Sequence, residues 1–287
     1  MKHDRPAFRL CEPDPVRTSV IFSSPHSGSY YPTDFQQNTV LDLARLRSSE
    51  DAFVDDFMHL GAQLGAYCIA ATYPRAYLDL NRARDELDPG IVEGLRQRGS
   101  GSRVAAGLGV IPRVVSGGRA ILRGKISLAE AETRLDDIWT PWHRQIDLLM
   151  EANKKRFGEA ILVDLHSMPS EAIEAFGLKR PEIVIGDRYG SSASEHIVEK
   201  IEAAFAATGL SVSRNTPFAG AYITKTYGQP ANHRHAIQIE INRALYMDEA
   251  RIERRADFAE FQSLMDGVLA RIAAIGRSDQ PDTMAAE

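Results

Sequence analysis

Short apolar runs alternate along the chain with longer stretches whose apolar residues recur at helical spacing. Runs at 20–23, 67–70, 160–165, 182–186, 210–213 and 236–241 predict six strands. Several are continuous in Ile and Val, as strands covered on both faces are. Ser48-x-x-Asp51, Ser127-x-x-Glu130 and Ser192-x-x-Glu195 have the spacing of capping boxes and predict helix starts. Gly65, Gly158 and Gly209 fall where those helices should stop. Pro141 predicts a kink in a helix over 127–157, and a last helix is expected over 248–275 with a frayed tail after 276. Strands alternating with helices imply an α/β fold with a mixed, mostly parallel sheet between helical layers. The stretch 85–118 is rich in Gly and Pro and reads as one long functional loop. No linker divides the chain, so 1–287 is expected to form a single domain.

Composition narrows the function. Lys plus Arg number 34 against 39 Asp plus Glu, a net charge of −5, which argues against nonspecific nucleic-acid binding. No apolar run has the roughly 18 residues a membrane-spanning helix needs. The start, Met1 to Pro6, lacks an apolar signal core, and Cys11 and Cys68 make no disulfide framework. These features predict a cytoplasmic protein.

In α/β sheets ligands bind beyond the carboxyl ends of the strands. There the first predicted strand runs into Ser24-Pro25-His26-Ser27-Gly28, and that over 160–165 into His166-Ser167-Met168-Pro169. The last predicted strand carries Gln238-Ile239-Glu240-Ile241-Asn242-Arg243. Two imidazoles and a carboxylate make the three-ligand set of a catalytic zinc site, and a further carboxylate is wanted as general base. The third ligand stays open between Asp51, Glu50 and the His233-x-His235 pair. Glu50 and Asp51 are expected at the start of the helix that follows the first strand's loop. Arg75, Arg82 and Arg84 surround Asp79-Leu80-Asn81-Arg82, and arginine forks match carboxylates.

Ser24-Pro25-His26-Ser27-Gly28, Asp79-Leu80-Asn81-Arg82, Asp164-Leu165-His166-Ser167 and His235 to Glu240 together resemble the N-formylglutamate amidohydrolase family, in the family's order over roughly 20–247. The resemblance implies a phosphorylase/hydrolase-like three-layer fold and a metal-dependent hydrolase of an N-acyl amino acid, distantly similar to zinc carboxypeptidases. It implies that His26 and His166 bind Zn2+ or another divalent metal, that Glu240 is the general base, and that Asn81 and Arg82 clamp a substrate carboxylate. Arg75 or Arg84 would hold a second carboxylate. Zinc carboxypeptidases place a Glu three residues after the first His, where this chain has Ser29, so Asp51 aligns best as third ligand, with Glu50 as fallback. The expected reaction is removal of a formyl or other small acyl group from a small-molecule acidic N-acyl amino acid, N-formylglutamate to glutamate and formate. The alternatives are a carboxypeptidase-like or other N-acyl amino acid hydrolase and a non-catalytic small-anion binding protein; a carboxylate at Glu240 favours an enzyme.

Overall fold

The computed structural model describes residues 3–95 and 101–277. Its main sheet has seven strands: β1 (Phe8–Cys11), β2 (Val20–Ser24), β3 (Tyr67–Ala71), β4 (Ala160–Met168), β5 (Ile183–Gly186), β6 (Val212–Arg214) and β7 (Arg234–Asn242). The order across the sheet is β1-β3-β2-β4-β7-β5-β6. Four of the six neighbouring pairs are parallel; β1 with β3 and β5 with β7 are antiparallel. All six predicted strands are present. β1 is the addition, an edge strand too short and too exposed to leave an apolar run.

Helices cover both faces: α1 (Leu43–Arg47), α2 (Leu128–Arg134), α3 (Thr140–Phe157), α4 (Glu195–Ala206), α5 (Tyr222–Tyr227) and α6 (Phe258–Ile275). Ser127 caps α2 as expected, its hydroxyl accepting from the Glu130 N–H at 3.1 Å. The other two predicted boxes do different work. Ser48 closes α1, donating to the Arg45 carbonyl at 2.7 Å, and Ser192 donates to the Ala236 carbonyl at 2.7 Å while α4 begins after Ser194. Before Pro141, which cannot supply an N–H, the helix loosens into a π-turn over Leu135–Trp139. Gly158 ends α3 at φ +82° and Gly65 ends the turn Gly61–Leu64 at φ +80°; Gly209 lies three residues beyond the end of α4. The last helix starts at Phe258 rather than 248. There the Asp248 carboxylate accepts from the Ala250 and Arg251 N–H groups, turning the chain into a small hairpin, Met247–Asp248 with Glu253–Arg254. The 85–118 stretch contains a helical turn at Ser102–Ala105 and a strand at Val114–Val115; 96–100 lie outside the described residues, as does the tail over 278–287.

Strand periodicity places the site. On one face Val20 and Phe22 of β2, Ile161, Val163 and Leu165 of β4, and Ile237, Ile239 and Ile241 of β7 pack under α4 and α6. The opposite face starts apolar, with Ile21, Leu162 and Ala236 under Trp142, Ile146 and Met150 of α3. Two residues further along each strand the same face turns polar: Ser23, then Asp164 and His166, then Gln238 and Glu240. Register sets Ser23 opposite Asp164, Asp164 opposite Gln238, and His166 opposite Glu240. Each Val, Leu, Ile or Phe side chain on these faces contributes about 1.5–3 kcal/mol. A buried polar one is tolerated only with a partner. No helix among the described residues is long and apolar enough to cross a membrane.

Candidate metal centre and active site

His26 lies two residues beyond β2, in a loop that must run close to the loop after β3. A Cβ on Gly28 would stand 2.2 Å from the Tyr73 carbonyl oxygen, so only glycine lets the two backbones approach. His166 projects from the polar face of β4. Asp51 comes from the segment after α1, not from a helix start, and its main-chain N–H donates to the His26 carbonyl at 3.0 Å. Phe53 follows in the left-handed region at φ 67° and turns the chain into the 3-10 turn Val54–Met58. Such a conformation costs a non-glycine residue about 1–3 kcal/mol. Packing of the Phe53 ring against Phe258 and Arg254 opposes that cost.

His26, Asp51 and His166 are all buried, and one donor atom from each lies within 4.8 Å of the others. The two imidazoles are arranged alike. Each turns Nδ1 toward Asp51 Oδ2, at 3.5 Å for His26 and 3.0 Å for His166. Each turns Nε2 to a second carboxylate, Asp79 Oδ1 at 2.8 Å for His26 and Asp164 Oδ2 at 2.7 Å for His166. With Nε2–H donated to these carboxylates, each ring turns its Nδ1 to Asp51 Oδ2, so a cation placed between them would meet two imidazole nitrogens and a carboxylate oxygen. Among the described residues His26 Nδ1 is buried without a hydrogen-bond partner, as an open ligand position would be. Two imidazoles and one carboxylate suit zinc among the common divalent metals.

The electrostatics follow from burial and close pairing. Burial pushes the Asp51 carboxyl up, but the imidazoles of His166 and His26 beside it win and hold it well below the usual range. Asp79 is likewise pushed up by burial and held well below by Arg75 and Arg82. His166 is disfavoured as a cation by burial, yet Asp164 beside Nε2 holds it well above its ordinary value. Glu50 points elsewhere: it accepts from the Tyr31 hydroxyl at 2.5 Å and from Arg47 Nε at 3.1 Å. His233 and His235 lie at the amino end of β7, where His235 pairs in register with Ile161, far along the strand from His166. His235 Nδ1 accepts from the Ser194 N–H.

Glu240 lines a cavity of about 380 Å³ together with Arg75, Asp79, Ser167 and Arg243; Leu108, Pro112, Val114 and Phe218 form an apolar wall. Burial pushes the Glu240 carboxyl up to about 7. Its Oε1 accepts from Gln238 Nε2 at 2.7 Å, Gln238 Oε1 accepts from Asn81 Nδ2 at 3.3 Å, and Asn81 Oδ1 accepts from the Ile223 N–H at the start of α5 at 2.8 Å. Asn81 is thus engaged at both ends. Of the Arg75 nitrogens only Nε is engaged among the described residues, with Asp79 Oδ2 at 2.9 Å. Arg82 is buried and donates to the carbonyls of Leu108 and Asn81 at 3.0 and 2.7 Å. Arg84 lies at the surface on Asp136 and Thr140. A larger cavity of about 830 Å³, beside Tyr30, Phe35 and Lys125, is lined by none of these groups. Sequence reasoning gave no role to Asp79, Asp164, Ser167, Gln238 or Arg243. The available signal was spacing by two on a strand, Asp164-x-His166 and Gln238-x-Glu240.

The family of N-formylglutamate amidohydrolases matches residues 18–247. The N-formylglutamate deformylase of Pseudomonas aeruginosa is 32% identical over 263 residues, covering 88% of this chain and 94% of its own length. That of Pseudomonas putida is 30% identical over 236 residues, covering 81% and 83%. The crystal structure of an N-formylglutamate amidohydrolase from Ralstonia eutropha superposes with a TM-score of 0.88 at 33% identity, over 95% of this chain and 99% of that one. With that extent of match in sequence and in fold, the chain belongs to the N-formylglutamate amidohydrolase family.

Proposed function

We propose that the protein is a metal-dependent deformylase that hydrolyses N-formylglutamate to glutamate and formate. The observation that carries this reading is the convergence of His26 Nδ1, His166 Nδ1 and Asp51 Oδ2 beside the cavity-lining carboxylate of Glu240. His26, Asp51 and His166 would hold a divalent cation, zinc by donor type. When bound, such a cation polarises the formyl carbonyl and makes water a nucleophile at neutral pH.

The remaining chemistry belongs to side chains of this chain. Glu240 accepts the proton of the attacking water and delivers it to the amine nitrogen as the amide bond breaks. A carboxylate kept basic by burial suits that task. Gln238 orients it through Oε1, which leaves Oε2 for the proton. Arg75 meets a substrate carboxylate with the fork left open by its Asp79 contact. Arg82 and Asn81 hold the loop that presents Arg75 and Asp79, Arg82 through two carbonyls and Asn81 through α5. The names of the relatives in both Pseudomonas species support glutamate as the acidic amino acid.

The test is release of the free amino acid from N-formylglutamate, a neutral N-formyl amino acid and N-acetylglutamate, before and after chelation and after zinc is restored. Chelator-sensitive turnover that prefers N-formylglutamate is expected. Turnover unaffected by a strong chelator would sink the metal reading; equal rates on the neutral substrate would sink the dicarboxylate reading.

A further inference from the structure

Arg243 occupies a position that the proposed chemistry does not use. It follows β7 in Asn242-Arg243-Ala244-Leu245, three residues after Glu240. The Asn242 side chain accepts from the Ala244 N–H at 3.0 Å and from the Ser170 hydroxyl at 3.0 Å, which winds Arg243–Leu245 into a single 3-10 turn. That turn sends the Arg243 side chain back over the ends of β4 and β7, where it is 7% exposed.

All three guanidinium nitrogens are engaged, each with a different residue. Nε donates to the Ser167 hydroxyl at 3.0 Å, Nη1 to the Ser48 carbonyl at 3.0 Å, and Nη2 to Asp51 Oδ1 at 3.1 Å. Ser167 passes its own hydroxyl hydrogen to the same Asp51 Oδ1 at 3.2 Å. The two oxygens of Asp51 are therefore divided. Oδ1 takes two donors from the protein, and Oδ2 faces the two imidazole Nδ1 atoms.

We propose that Arg243 is a positioning residue of the metal centre, which together with Ser167 fixes Asp51 as a ligand through Oδ2 alone. This rests on the reading of His26, Asp51 and His166 as the metal ligands. A free carboxylate rotates about its last bond and can present either oxygen or both. The guanidinium fork and the hydroxyl remove that freedom, and Nη1 anchors the segment bearing Asp51 through Ser48. A positive charge beside a cation site opposes binding, so Arg243 is kept for its geometry. Partners of this kind behind metal ligands affect metal affinity by about 10- to 100-fold.

The experiment measures zinc affinity of the full-length protein by competition with a chromophoric chelator, with zinc alone as the probe. Arg243→Lys keeps the charge and loses the fork, so it separates geometry from Coulomb repulsion. We expect it to weaken zinc binding by about ten-fold or more. Zinc bound by Arg243→Lys as tightly as by the unaltered protein overturns the proposal. Should that variant not fold, Ser167→Ala removes the other donor to Oδ1 without a charge change. A several-fold loss of affinity is then expected, and unchanged affinity overturns the proposal. Failure of the underlying reading looks different: the unaltered protein and His26→Ala would bind zinc alike, or not at all.

Discussion

The main-chain N–H of Asp51 donates to the main-chain carbonyl of His26 at 3.0 Å, although 25 positions separate the two residues along the chain. Two of the three proposed ligands are thus joined through backbone, and their side chains start from a fixed relative position. Side-chain exchange at Asp51 should therefore change the ligand without dismantling the loop. Asp51→Asn, which supplies a weaker neutral oxygen, is expected to lower zinc content strongly. Glu50→Gln is expected to leave zinc content near that of the unaltered protein, because Glu50 is held by Tyr31 and Arg47. Metal analysis of the two purified proteins checks this, and equal zinc in both would remove Asp51 from the ligand set.

Glu240→Gln keeps the size of the side chain and removes the basic oxygen. It should retain zinc and substrate affinity while kcat falls on the order of 10²-fold or more. Steady-state kinetics with metal analysis tests this. A lower melting temperature with turnover per folded molecule intact would give Glu240 a structural role at the strand end instead.

Much of this was legible in the sequence because strands advertise themselves. The runs that became β4 and β7 are long and rich in Ile, Leu and Val, and the chemistry sits where each run turns polar. His26, His166 and Glu240 could be picked out because they follow or interrupt such runs. At the local level the spacing around Asp51 misleads. Ser48-x-x-Asp51 has capping spacing, but Ser48 ends α1, and the Asp51 carboxylate is drawn away by two imidazoles and a guanidinium. Arg82 and Arg75 are equivalent by composition, and only the fold separates them: carbonyls of Asn81 and Leu108 take up Arg82, whereas Arg75 lines the cavity. Partners distant in sequence, such as Arg243 with Ser48, leave no local pattern to read.

The two arginines should consequently fail in different ways. Arg75→Lys keeps the charge at the cavity wall and loses the fork, so KM for N-formylglutamate is expected to rise about ten-fold or more with little change in melting temperature. Arg82→Lys loses hydrogen bonds to buried carbonyls and should lower the melting temperature first. Kinetics and thermal unfolding of both variants separate the roles; a KM effect confined to Arg82→Lys would reverse the assignment.

His143 gives the stability of the fold a pH dependence. It is buried between Trp139 and Tyr227, with Nε2 on the Leu80 carbonyl at 3.0 Å. Burial pushes its pKa down to about 3, whereas in the unfolded chain it titrates near 6.5. The unfolded state therefore binds a proton that the folded state refuses as pH falls below about 6.5. Stability is full above that value and declines toward acid, by at most about 1.4 kcal/mol per pH unit from this group. His235, pushed down by burial to about 4, acts in the same sense. His143→Gln should be less stable at pH 7.5 but lose less stability between pH 6.5 and 4.5. Denaturant unfolding at several pH values measures both slopes, and identical slopes would mean that His143 does not carry the effect.

Gln238 offers the sharpest separation of positioning from packing. The Ile223 N–H can only donate, so Asn81 must turn its oxygen toward it and its amide nitrogen toward Gln238. Gln238 must then present its own nitrogen to Glu240. A single backbone donor thus sets the direction of the whole chain of side chains and decides which Glu240 oxygen is occupied. Gln238→Met nearly preserves volume in the sheet but removes the donor, freeing the carboxylate to rotate. We expect kcat for N-formylglutamate to fall by about ten-fold, with KM and zinc content nearly unchanged, since neither the ligands nor Arg75 is touched. A role confined to packing would instead lower the melting temperature and leave kcat alone. A rise in KM with kcat unchanged would place Gln238 on the substrate rather than behind the base.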